Sequence, residues 1–188
     1  MTGKISLEEK MNWWKGTLLN DDIIELASEK AYKDLMRTIR GFSKNEDHDA
    51  IKKRAGECIY ESVKKILNTS NMNQEIFDKL HKESCEKLIK SFKNQPFTIG
   101  QAQKWINMLF KNLYLLDDRL ENNVYKYCHV PIDRYILKQT NCTLSKPWSK
   151  IDDYNEYINF QKEFRERYKD DIPLDKEFYL WLAEAKKK

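Results

Sequence analysis

The stretch QAQKWINMLFKNLYLL, Gln101 to Leu116, decides the fold. Ile106, Met108, Leu109, Phe110, Leu113, Tyr114, Leu115 and Leu116 leave it little polar surface, and no glycine or proline interrupts it. A helix that is apolar on most sides must be covered by others. The segment is therefore predicted to be the central helix of an all-α protein.

Working outward, Asn94-Gln95-Pro96-Phe97-Thr98-Ile99-Gly100 is the one sharp break in the middle of the chain. Before it, Gln74 to Phe92 reads as a helix with Phe77, Leu80, Leu88 and Phe92 inward, and residues 47 to 67 as another, with Ala55, Ile59, Val63, Ile66 and Leu67 on its core side. Asp21 and Asp22 suit the start of a helix that runs to Arg40. Its apolar positions Ile24, Ala27, Ala31, Leu35 and Ile39 recur at spacings of three and four. Lys33, Arg37 and Arg40 share a second face, and Gly41 supplies the stop. Ile5 to Trp14 is a short amphipathic stretch. Downstream, a short helix is predicted over 117–127, then an extended connector Cys128-His129-Val130-Pro131, with Pro131 opening a helix that ends near Gln139. Terminal helices are expected over 150–168 and 174–187, divided by Pro173. The expectation is one all-α domain, residues 1–188, folded as an orthogonal bundle of about eight helices.

Composition agrees. The chain has only five glycines and four prolines, and its 40% hydrophobic content excludes a disordered chain despite 34% charged residues. The net charge of +4 and pI near 8.7 are compatible with nucleic acid, without reaching the value of about 9 that marks a nucleic-acid-binding domain. No apolar run approaches the roughly 20 residues of a membrane span, and the first residues lack the pattern of a signal peptide. Cys58, Cys85, Cys128 and Cys142 are widely separated, so they read as free thiols in a reducing compartment. A cytoplasmic monomer without membrane contact is expected.

Two segments could carry chemistry. Thr98 to Asn107 places Lys104 near the start of the most apolar helix. His129 to Leu137 places Asp133 at the start of another helix, just after a proline. A lysine attacks only when unprotonated, and an apolar bundle favours that form. A carboxylate fixed at a helix start can stabilise positive charge developing at a sugar carbon, or take the nucleophile's proton. Each residue also has an ordinary reading: a solvated lysine, and an aspartate that faces a helix dipole.

The order of these segments resembles the helix-hairpin-helix superfamily of DNA glycosylases. In that family a glycine-containing turn precedes a lysine early in a helix, and a Val-Asp segment opens a later one. Gly100-Gln101-Ala102-Gln103-Lys104 is similar to the turn and lysine, and Val130-Pro131-Ile132-Asp133 to the later element. The likeness covers residues 74–140, a candidate glycosylase core. Its apolar run after Lys104 is closer to the archaeal-type 8-oxoguanine glycosylases than to endonuclease III. The resemblance implies a helix-hairpin-helix element, a Schiff base formed by Lys104 and an essential carboxylate at Asp133. The chain departs from the pattern in three ways. Ala102 replaces the second glycine, the stretch from Lys104 to Asp133 holds an inserted short helix, and the four-cysteine iron–sulfur signature is missing.

On this reading the partner is duplex DNA with an extruded base. The amides of Ile99, Gly100, Gln101 and Ala102 face phosphate at a helix start, and Lys111, Arg134 and Lys138 contact the backbone. Trp105 stacks on the base or is a core residue, and Trp13, Trp14 and Trp148 are further aromatic candidates. No cofactor and no metal are expected: Cys128, His129 and Cys142 lack a fourth ligand, so core cysteines and a surface histidine are favoured. His81 and Cys85, one helical turn apart, read as packing. The alternative is a helical module without catalysis that binds nucleic acid or protein in a regulatory or defence-associated role.

Overall fold

Helices here begin where a side chain can take the free amides of a first turn. Asp22 accepts from Ile24 N and Glu25 N and opens α1, Ile23–Leu35. Asn73 accepts from Ile76 N and opens α3, Gln74–Ser91, while α2, His48–Leu67, precedes it. Thr98 and Gln101 close a reciprocal box ahead of α4, Ile99–Leu116. In it Gln101 N donates to Thr98 Oγ1 at 3.1 Å, and Thr98 N donates to Gln101 Oε1 at 3.0 Å. Asp133 opens α5, Arg134–Gln139, and Asp153 opens α6, Tyr154–Arg167. The last helix, α7, Pro173–Ala185, has proline at its first position, where a missing N–H costs nothing.

The structure is a computed structural model describing residues 22–116, 123–140 and 146–187, with Ser6, Glu8, Glu9, Asn12 and Leu144 besides. Among the described residues the secondary structure is all helical, with seven α-helices and no strand. Most of the Ile5–Trp14 stretch lies outside them, as do Cys142 and the first part of the helix expected over 117–127, whose end, Asn123–Tyr127, is a 3₁₀ segment.

Three boundaries differ from expectation for identifiable reasons. The first long helix ends at Leu35 rather than Arg40, passes through a 3₁₀ turn at Met36–Thr38 and stops at Gly41, whose φ of 72° suits glycine. Pro131 does not open a helix. Ile132 N is held by Gln103 Oε1 at 3.3 Å, which keeps the segment extended until Asp133 caps α5. The helix expected from Lys150 begins at Tyr154, because Trp148–Lys150 forms a 3₁₀ turn first.

The core forms around α4, which is buried on nearly every side. Helix α1 lies along it most extensively, and the small Ala27 and Ala31 let the two axes approach. Asn112 Nδ2 reaches the Ala27 carbonyl at 3.1 Å, and Trp105 Nε1 reaches Ser28. Helix α3 packs on α4 as well, α2 covers α3, and α5 docks on α7. Phe42, Phe77, Phe92, Phe110 and Phe164 fill the space between.

Gly100 sits where the start of α4 meets the Trp148 turn. Its amide donates to Ile151 O at 2.8 Å, and a Cβ there would lie 1.8 Å from Trp148 O. Gly56, in α2, has nothing within 4 Å of such a carbon. Gly100→Ala is expected to cost about 1–3 kcal/mol, because backbone must shift. Gly56→Ala is expected to gain about 0.5–1 kcal/mol from helix propensity. Urea denaturation of the two variants checks both signs.

Candidate active site

Residues 129–133 cross the interior without helical bonds, so their buried polar groups need other partners. Side-chain amides supply them. Gln161 accepts from Val130 N at 3.0 Å and donates to Val130 O at 2.9 Å. Asn107 Nδ2 also donates to Val130 O, and Gln103 Oε1 accepts from Ile132 N. Gln103 and Asn107 stand one turn apart on α4, so the extended segment is hung along that helix. This fixes where Asp133 emerges.

Asp133 uses its two oxygens differently. Oδ1 accepts from Tyr135 N and Ile136 N at 2.9 and 3.0 Å, capping α5. Oδ2 takes the Lys104 ammonium at 3.1 Å. The pair is shielded, with side-chain exposures of 6% for the lysine and 17% for the aspartate. The Trp148 ring lies 5.9 Å from Lys104 Nζ, within cation–π reach. Two turns along the same face, the Lys111 ammonium abuts Glu177 Oε2 on α7 and stands 4.2 Å from the Phe178 ring. Glu177 is completely buried, and neither of its oxygens takes an aligned hydrogen bond. Burial pushes its carboxyl upward, and the charges of Lys111 and Lys104 oppose that rise. Trp181 packs edge-on against Tyr135 and closes this side.

Sequence-derived expectations meet this geometry unevenly. Lys104 and Asp133 are brought together. The amides of Gly100, Gln101 and Ala102, expected to hold phosphate, instead donate within the chain to Ile151 O, Thr98 Oγ1 and Thr98 O. Ile99 is buried in the same first turn. Lys111 is buried and paired, so it is not a backbone contact. Arg134 is exposed beside the pair, and Lys138, also exposed, is held by Glu184 at 3.1 Å. Trp105 is a core residue tilted against Tyr32 with ring centroids 4.9 Å apart, whereas Trp148 is the aromatic beside the pair. His129 is buried rather than on the surface.

A second polar cluster went unread in the sequence. His129 Nε2 meets Asp78 Oδ1 at 2.8 Å, and its Nδ1 meets the Tyr157 hydroxyl at 2.6 Å. His81 Nε2 meets Asn107 Oδ1 at 2.9 Å, and its Nδ1 meets the Tyr154 hydroxyl at 3.0 Å. Carboxylate and amide oxygens only accept, so Nε2 carries the proton in both rings. Arg165 closes on Asp78 at 3.3 Å. Burial pulls the His129 pKa down to about 4 and holds His81 well below its ordinary value. For Asp78, burial acts upward, but bonds from His129 and Gln74 and the charge of Arg165 leave it below the usual carboxylate range. The available signal was the recurrence of Gln103, Asn107 and Lys111 at helical spacing inside an otherwise apolar helix. Polar groups there must find buried partners. Among the described residues no group of three or more His, Cys, Asp or Glu side chains could hold a metal ion, and no helix is long and apolar enough to cross a membrane.

Comparison of the chain with protein-family models, with curated proteins and with solved structures finds no match.

Two outcomes follow. A histidine whose folded pKa lies below its unfolded value leaves the unfolded chain binding more protons. Stability should therefore be flat above pH 6.5 and fall as pH drops toward 4. His129 alone accounts for about 2 kcal/mol lost between pH 7 and 5, with His81 acting in the same sense. Urea titrations at the two pH values measure it, and a pH-independent midpoint would contradict the buried neutral network. For the second pair, Lys111→Met leaves Glu177 without a counter-charge and should cost about 3–5 kcal/mol. Lys111→Met with Glu177→Leu should recover most of that, as a double-mutant cycle would show.

Proposed function

We propose that the chain is a DNA glycosylase that excises a damaged or modified base with Lys104 and Asp133. The observation that carries this reading is the 3.1 Å contact between an ammonium and a carboxylate from separate helices, beside an aromatic ring. In the proposed reaction the bond from C1′ to the base breaks, and the base leaves with a proton. Asp133 faces the positive charge that develops on the sugar. It also takes the proton that the Lys104 ammonium must lose before Nζ bonds to C1′, and passes that proton to the departing base. Opening of the sugar ring then gives an imine, from which lyase activity can follow. Trp148 is the ring placed to stack on an extruded base, and Arg134 the exposed cation nearest the pair in sequence. The residues invoked need no cofactor.

One observation favours the other reading, a helical binding module without catalysis. Lys104 is almost covered and already neutralised, as in a structural ion pair. The Trp148 ring, 5.9 Å from Nζ, stands beside it. On this second reading the module binds nucleic acid or protein through the exposed cations Lys33, Arg37 and Arg40.

The experiment is an excision assay over duplexes carrying different modified bases, with borohydride added to trap an imine. Lys104→Gln is expected to abolish trapping. Asp133→Asn keeps a good helix cap, so loss of excision by about a hundredfold or more would report the lost charge. Salt-sensitive DNA binding without excision of any base would favour the module. Wild-type excision by both variants would refute the assignment.

A further inference from the structure

Helices α1 and α2 leave a cleft of about 700 Å³ on the side of α4 that carries Trp105. Its walls hold six carboxylates against two lysines, an acidic site on a chain of net charge +4. Two of the carboxylates are engaged: Asp22 caps α1 and accepts from the Tyr60 hydroxyl, and Asp49 meets His48. Among the described residues Glu25, Glu29, Glu57 and Glu61 have no hydrogen bond or ion pair through their carboxylates. Unrelieved like charge destabilises a compact fold, and a partner of opposite sign removes that strain.

The floor gives the second observation. Tyr32 is 5% exposed and lines the cleft, and its hydroxyl has no hydrogen-bond partner. A buried hydroxyl left without a partner is destabilising. The Tyr32 and Trp105 rings lie together there, 4.9 Å apart. Gly56, also in the wall, leaves open space where a side chain would stand. Glu25 and Glu29 are one turn apart on α1, and Glu57 and Glu61 one turn apart on α2. Each wall therefore repeats its charge at about 6 Å, the spacing of cations one turn apart on a helix.

We infer that this cleft docks a cationic amphipathic helix of a protein partner. Arginine or lysine side chains meet Glu25, Glu29, Glu57 and Glu61, one of them donates to the Tyr32 hydroxyl, and an apolar residue lies on Tyr32 and Trp105. This is the helix-in-groove mode with an acidic rim. The sign of the rim repels nucleic acid, so the inference stands apart from the site at Lys104.

The test uses the full chain and isothermal titration calorimetry. The probes are a helix-forming peptide with arginine at every fourth position and leucine between, the same peptide with glutamate for arginine, and free spermine. The basic peptide is expected to bind, to weaken as salt is raised, and to lose about tenfold or more in affinity against a Glu29→Lys, Glu57→Lys double variant. Both substituted residues are exposed, and an unchanged circular dichroism spectrum and melting temperature confirm the fold. Equal affinity for the variant overturns the inference, as does spermine binding as tightly as the peptide. Self-association abolished by the double variant would make the occupant a second copy of the chain, and would overturn it too.

Discussion

A buried stretch of extended backbone running through a helical interior must have its amides and carbonyls satisfied, and the architecture around Lys104 depends on how that is done. Within it Val130 and Ile132 take their partners from Gln103, Asn107 and Gln161. Each of these amides can donate and accept, as one edge of a strand does. Helix α4 thereby acts as a template for a segment that has no sheet to join, and α6 holds it from the other side. Without these bonds the segment would carry several unsatisfied buried groups, at a cost large against the 5–15 kcal/mol that typically stabilises a domain. With them, Asp133 leaves the segment at a set height along α4, opposite Lys104.

The charges on α4 follow from the same geometry. Lys104 and Lys111 lie two turns apart on one face, and each meets a carboxylate from a different later element: Asp133 at the head of α5, Glu177 on α7. Buried pairs of this kind add little net stability, because desolvation offsets attraction. They do penalise any arrangement in which α5 or α7 docks in another register. The aromatic side chains Trp148, Phe178 and Trp181 exclude water around them and strengthen the electrostatics within. A site built this way has both its chemical groups and its cover.

Much of the helical framework was legible from local rules. The start at Asp22, stripes such as Ala27-Ala31-Leu35 and Ala55-Ile59-Val63-Ile66, and the stop at Gly41 act within a few residues. The errors arose where a distant partner overruled a local signal. Pro131 would start a helix in isolation, but Gln103 holds the next residue extended. Ile99-Gly100-Gln101-Ala102 has the form of a phosphate-binding helix start, yet its amides turn to Thr98 and Ile151 instead. Trp105 was open to a base-stacking or a core reading and His129 was expected on the surface, and their neighbours on α1, α3 and α6 place both in the core.

By itself, then, the sequence determined that this chain is helical, where most helices start and stop, and that Lys104 and Asp133 stand near two of those starts. Capping and periodic burial are short-range, and a local stretch of residues contains all that they require. Only the tertiary structure decided that the lysine and the aspartate touch, that Lys111 finds Glu177, and that His81 and His129 share a buried network with Asp78 and Tyr157. Those contacts join elements far apart in the chain. No spacing encodes them, because they depend on how the helices pack and on which buried polar groups are left needing a partner.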